Sequence, residues 1–213
     1  MRTTLQGLLI AGGWLAGTLP GLADLTLDQT FTPGNGTILE GNLTGQVFTG
    51  NITGLPAGAS LMDLTVGLTI SGGYNGDLYA YLIAPNGRTD ILLYKPGEAV
   101  NGFGAYGSGL NLTLADASAN GSIQQVTSGG VLTGTYQPAS PLASLDGSPA
   151  GGNWRLFVAD EGVGGGNATL NSWTLDLTAT PEPQIPAAAY AGLVLVLGGA
   201  RWLARRHKKR RPE

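Results

Sequence analysis

Two places in this 213-residue sequence put carboxylates beside flexible backbone. Asp77 follows the turn-forming pair Asn75-Gly76 and opens an apolar run, and Asp160-Glu161 closes another just before Gly162-Val163-Gly164-Gly165-Gly166-Asn167. Calcium takes about six to eight oxygens from carboxylates, amides and carbonyls. Asp77, Asp160 and Glu161, with the carbonyls of residues 162–166, are therefore the candidate calcium ligands. The competing reading of Asp77 is structural: a carboxylate that accepts the amide hydrogens of its own turn. Neither place has the ligand spacing of a dedicated calcium loop, so calcium is the one cofactor the residues suggest and it rests on these three acids.

Chemistry beyond cation binding is poorly supplied. The single histidine, His207, lies in a basic tail, and there is no cysteine, so neither a Ser-His-Asp nor a Cys-His arrangement can be built within residues 24–180. The 12 acids of that segment offer many pairs for glycoside hydrolysis, but no spacing singles out two of them. No catalytic residue is assigned, and the chain is read as a non-enzyme. Among the aromatics, Tyr74, Tyr106 and Tyr136 fall in or beside glycine-rich turns, where a ring could meet a sugar. Trp154 and Trp173 sit at core-like phases of alternating runs and are read as packing residues. Asn-x-Ser/Thr triplets at Asn35, Asn42, Asn51, Asn111, Asn120 and Asn167 are read as polar turn residues.

The elements that must position these groups are short strands. Glycine supplies 36 of the 213 residues, and at roughly 1 kcal/mol per helix-interior position it excludes a helical bundle. Met62, Leu64, Val66, Leu68 and Ile70 alternate with Asp63, Thr65, Gly67 and Thr69, the period of a strand with one buried face. Residues 77–84 are apolar on both faces, which predicts a central strand, and Pro85-Asn86-Gly87 turns it into a partner over residues 89–94. Further strands are expected at 110–114, 131–136, 154–158 and 173–179, with weaker candidates at 24–31 and 46–52. Eight or nine strands without helical periodicity predict an all-β fold, an antiparallel jelly-roll β-sandwich. Without disulfides it must be held by core burial, which about 157 residues allow.

Charge divides the chain. The formal net charge is −3, yet seven of the 11 basic residues lie between Arg201 and Arg211. Residues 24–180 hold three basic residues, Arg88, Lys95 and Arg155, against 12 acids, a balance of −9 that argues against a nucleic-acid partner. Residues 1–23 carry Arg2, an apolar stretch from Leu8 to Ala16 and small residues at Gly21 and Ala23, the pattern of a secretory signal peptide. At the other end Pro181-Glu182-Pro183 precedes an apolar stretch at 185–200. With Arg201 snorkelling and Trp202 at the interface, that stretch reaches Ala204 and is long enough to span a bilayer. The cluster Arg205, Arg206, Lys208, Lys209, Arg210 and Arg211 follows and predicts a cytoplasmic terminus.

Two resemblances follow from these residues. Pro-Glu-Pro, apolar helix and arginine-rich terminus, in that order over residues 181–211, resemble the PEP-CTERM sorting signal of Gram-negative bacteria, which implies processing by an exosortase. Threonine stands where that family often has valine before the first proline, and the basic tail is unusually long. The second resemblance is to the P domain (P/Homo B domain) of subtilisin-like proprotein convertases. It is carried by Asn75-Gly76-Asp77-Leu78 with Leu82, Pro85, Gly87 and Leu92-Leu93; by Tyr136-Gln137-Pro138, Pro141-Leu142 and Asp146-Gly147; and by residues 152–160 and 170–175, which look like the family's Gly-x-Trp-x-Leu-x-Val-x-Asp and closing tryptophan strand. It covers about residues 38–179 and implies a jelly-roll sandwich. The family's usual catalytic domain is not expected ahead of it, because strand-like sequence begins close to Asp24.

The expectation is a signal peptide (1–23), a P-domain-like module (24–180) and a sorting segment (181–213). It describes an exported, non-catalytic protein, anchored transiently by its C-terminal helix and then sorted to the cell surface or extracellular matrix. Its partners are the secretion machinery, the exosortase, the membrane before processing, and an extracellular polysaccharide or surface protein. The alternative is an accessory subunit of a secreted subtilisin-like serine protease, or a hydrolase acting on extracellular polysaccharide.

Overall fold

The structure, a computed structural model, describes residues 23–127 and 129–181. Residues 1–22 of the expected signal peptide, the apolar span and the basic cluster Arg205 to Arg211 lie outside those residues, as do Glu182 and Pro183 of the sorting motif. No helix among the described residues is long and apolar enough to cross a membrane.

Strand β1 (Leu25–Phe31), the two-residue β2 (Thr37–Ile38), β3 (Gln46–Ile52) and β4 (Ser60–Gly72) lead into a single 3-10 turn, Asn75–Asp77. β5 (Leu78–Ile83) and β6 (Thr89–Tyr94) form the expected hairpin, closed where the Gly87 amide donates to the Ala84 carbonyl at 2.9 Å. After the one-turn helix α1 (Glu98–Asn101) come β7 (Leu110–Leu114), β8 (Leu132–Tyr136), β9 (Gly152–Asp160) and β10 (Ala168–Thr180).

These strands make two sheets. One is ordered β1-β10-β4-β7-β8 with β2 added to β10, and the other is β3-β9-β5-β6. The period-two pattern explains the layering. Leu64, Val66 and Leu68 of β4, with Leu175 and Leu177 of β10, turn into the same core as Leu78, Ala80 and Leu82 of β5 and Trp154, Leu156 and Val158 of β9. Each fully buried leucine or valine is worth roughly 1.5–3 kcal/mol relative to exposure, and this inter-sheet layer holds a chain without disulfides. Trp173 packs on Phe31 with ring centroids 4.5 Å apart, and the Trp154 indole donates to the Ala150 carbonyl at 3.0 Å. Both tryptophans are core residues, as their phase predicts.

Two departures from simple alternation have local causes. Leu170 and Trp173 both face inward although they stand three positions apart, because a bulge between Leu170 and Ser172 absorbs the extra residue against β4. The second departure corrects the all-antiparallel expectation: β7 and β8 pair in parallel, Leu110 opposite Leu132 through Leu114 opposite Tyr136. Residues 115–131 between them are long enough for the crossover that a parallel pair requires, and the 3-10 turn Ile123–Gln125 lies within it. β5 is interior, between β9 and β6, as its two apolar faces predict. On its other face Tyr81 stacks on Phe157 of β9 at 4.6 Å and 18°.

Candidate functional site: an acidic, aromatic end of the sandwich

Pairing of β5 with β9 brings the two acidic places together. Leu78 is opposite Asp160, and the Glu161 amide donates to the Asp77 carbonyl at 2.9 Å. Asp77 lies one residue before β5 and Glu161 one residue after β9, so the hairpin-like register alone sets their approach. Gly162 completes it. The Asp77 carboxylate lies where a side chain at Gly162 would stand, a close approach that only glycine allows.

The three sequence candidates do not share one environment. Asp160 is 1% exposed; its Oδ1 accepts the Gly162 amide at 3.3 Å, and its Oδ2 has no hydrogen-bond partner. Burial pushes its pKa up to about 6, with the Asp77 and Glu40 charges adding to the rise and the Gly162 amide opposing it. Burial likewise raises Asp77, which Lys95 partly offsets while Glu40 and Glu98 reinforce it. Glu161 turns instead to Lys95, 3.6 Å away, and Lys95 also lies 3.9 Å from Glu98. Both pairs are partly exposed and contribute little to stability. No group of three or more His, Cys, Asp or Glu residues among the described residues is arranged to hold a metal ion.

Sequence reasoning missed Glu40. Its Oε1 accepts the amides of Gly164 and Gly166, the latter at 2.9 Å, while its own amide donates to Asn167 Oδ1 at 3.1 Å. The Gly166 amide in particular holds the Glu40 carboxyl below its ordinary value. Glu40 thus ties the 162–166 loop to the segment after β2. No local pattern marks it, since its partners lie more than 120 residues away in the chain.

Beside the acids is a cleft of about 480 Å³ lined by Tyr74, Asp77, Phe103, Tyr106, Val163, Gly164 and Gly165. Tyr74 and Tyr106 meet edge to face, with centroids 6.3 Å apart and planes at 81°. Of the three turn tyrosines, these two converge. Tyr136 is not among the lining residues; its hydroxyl donates to the Thr133 carbonyl at 3.2 Å within β8. Phe103, absent from the sequence candidates, and Val163, there only through its carbonyl, are the most exposed large apolar residues described, at 73% and 85%.

The sequence matches the family described as proprotein convertase P-domain over residues 61–177. The chain belongs to that family. The match spans more than half of the 213 residues and includes Tyr74, Asp77, Tyr106, Asp160 and Glu161, whereas Glu40 lies outside it. No curated protein matches the chain. Among solved structures, the chain is similar to the serine protease of Aeromonas sobria at 16% identity and a TM-score of 0.44, covering 76% of this chain and 28% of that one. The complex of that protease with its chaperone gives the same coverage at a TM-score of 0.43. Dimeric latent PorU from Porphyromonas gingivalis is similar at 13% identity and a TM-score of 0.31, over 81% of this chain and 14% of that one. The P-domain chain therefore spans less than a third of the length of each of these proteins.

Proposed function

We propose that this P-domain protein is an exported, non-catalytic jelly-roll module that an exosortase processes at the Pro181-Glu182-Pro183 motif and releases to the cell surface or extracellular matrix, where it has a structural or binding role. The observation that carries the reading is the P-domain match over residues 61–177 in a sequence whose sole histidine is His207. The P domain is the non-catalytic companion of subtilisin-like catalytic domains, and without a base beside a serine this chain lacks the parts for acyl transfer. Acids alone do not replace them. Asp77 and Asp160 are neighbours, but the first contacts Gly162 and the second is enclosed, so neither presents the open pair that flanks a glycosidic bond.

The reading includes calcium. Asp160 Oδ2 is a buried carboxylate oxygen with no partner, beside Asp77 and at the foot of the 162–166 loop. A divalent ion there would be held by Asp77, Asp160 and loop carbonyls, with Glu161 joining on release from Lys95. The family's company favours the competing role, an accessory subunit of a secreted serine protease. Purified protein assayed on casein and a panel of polysaccharides, alone and with a subtilisin-like protease, separates these. The module reading expects no turnover and no change in protease activity. Turnover abolished by substituting a single acid, or protease activity dependent on the added chain, would replace it.

A further inference from the structure

We propose that the cleft between Tyr74, Tyr106, Phe103 and Asp77 binds an organic cation of the alkylammonium class, such as a quaternary ammonium head group or a lysine side chain. The inference goes beyond the export reading and does not depend on it. Two tyrosine rings at 81°, with centroids 6.3 Å apart, line the cleft as a corner and not as a flat platform. Exposed Phe103 and Val163 supply an apolar rim, and Asp77 supplies a carboxylate. Rings around a cation attract it through their quadrupoles, by about 0.5–1 kcal/mol when exposed and about 2 kcal/mol when desolvated.

The cleft has the charge complement for such a ligand. Glu40 and Asp160 lie close enough to Asp77 to perturb one another, and Lys95 is engaged by Glu98 and Glu161. A neutral sugar fits the geometry less well, since it stacks on a flat ring face and makes no use of a charge, and among the described residues Asp77 is the only charged side chain lining the cleft. A divalent metal ion needs oxygen ligands in place of its hydration shell, which the rings and the apolar rim do not supply, while methyl or methylene groups around a charged nitrogen use both.

The walls are also fixed before a ligand arrives. A Cβ on Gly76 would lie 2.7 Å from the Gly104 Cα, so the turn bearing Tyr74 and the loop bearing Phe103 touch backbone to backbone. Gly104 has φ +86°, a left-handed conformation that suits glycine. Asn101 Oδ1 accepts the amides of Phe103 and Gly104, both at 2.8 Å. The Asn75 amide donates to the Gly107 carbonyl at 3.0 Å, next to Tyr106. Preorganised walls lower the ordering cost of binding, which would otherwise offset so small a contact.

The test is calorimetric titration of the full chain, purified in a polyoxyethylene detergent with chelator present, so that the result is independent of calcium and of sorting. Choline is compared with 3,3-dimethylbutanol, its uncharged isostere. Choline should bind at least tenfold more tightly, and Tyr106→Leu and Asp77→Asn should each weaken it about tenfold while leaving the alcohol unchanged. Tyr106 is half exposed and Asn is isosteric with Asp, so both variants should fold, and Asp77→Asn should melt no lower than the parent at pH 7. Tighter binding of Nα-acetyl-lysine methylamide than of choline would assign the cation to a peptide, and the reverse to a free or lipid head group. Equal affinity for choline and the alcohol, or displacement of choline by neutral hexoses, would overturn the proposal.

Discussion

Asp160 carries the largest electrostatic cost of the acidic end. Its folded pKa, about 6, lies above the ordinary value of 3.8, so between those values the folded chain holds a proton that the unfolded chain has lost. Stability from this group is therefore greatest at the acidic end of that window and is lost as pH rises through about 6. Asp77, Asp90 and Asp146, all raised first by burial, add in the same direction. With chelator present, the melting temperature should rise as pH is lowered from 7 to 5. Asp160→Asn should raise it at pH 7 and flatten the dependence, and calcium should flatten it for the parent but not for the variant. Parallel pH profiles for parent and variant would show that Asp160 is not the group responsible. The acids Asp77 and Asp160 were legible from sequence because each ends or begins an apolar run at a turn. The distinct fate of Glu161 was not, since it depends on Lys95, which stands 66 positions earlier and whose positive φ of 49° is not marked by its type.

At the scale of elements, the period-two runs located nearly every strand, because alternation follows directly from one buried face. What they could not supply was partner choice. β7 and β8 look alike whether paired in parallel or antiparallel, and the long connection at residues 115–131 decides between them by how it winds. The cleft was half legible: Tyr74 and Tyr106 stood out in glycine-rich turns, but Phe103 comes beside them through the close contact of Gly76 with Gly104, 28 positions apart in the chain. The closing strand is more predictable. β10 lies between β1 and β4, and Trp173 packs both on Phe31 and into the inter-sheet core. Trp173→Ala should cost about 3–5 kcal/mol, seen as a lower urea midpoint, whereas Val163→Ala at the exposed loop should stay within about 0.5 kcal/mol. Equal effects of the two would mean that the sandwich is not closed by β10.

For the whole molecule, we propose a P-domain module carried out of the cytoplasm and set free by a C-terminal sorting signal. The acidic module, at −9 over residues 24–180, and the basic cluster at residues 205–211 then belong on opposite sides of a membrane before processing. Fractionation of the native host, with antibody to the 24–180 module, tests this for the parent and for a variant with Pro181, Glu182 and Pro183 replaced by alanine. The parent should be found at the cell surface or in the medium, shortened at both ends. The variant should lose only its N-terminal segment and remain in the inner membrane, held by its apolar span and basic terminus. A cytoplasmic parent with its N-terminus intact, or release of a variant shortened like the parent, would rule out export and sorting by these two segments.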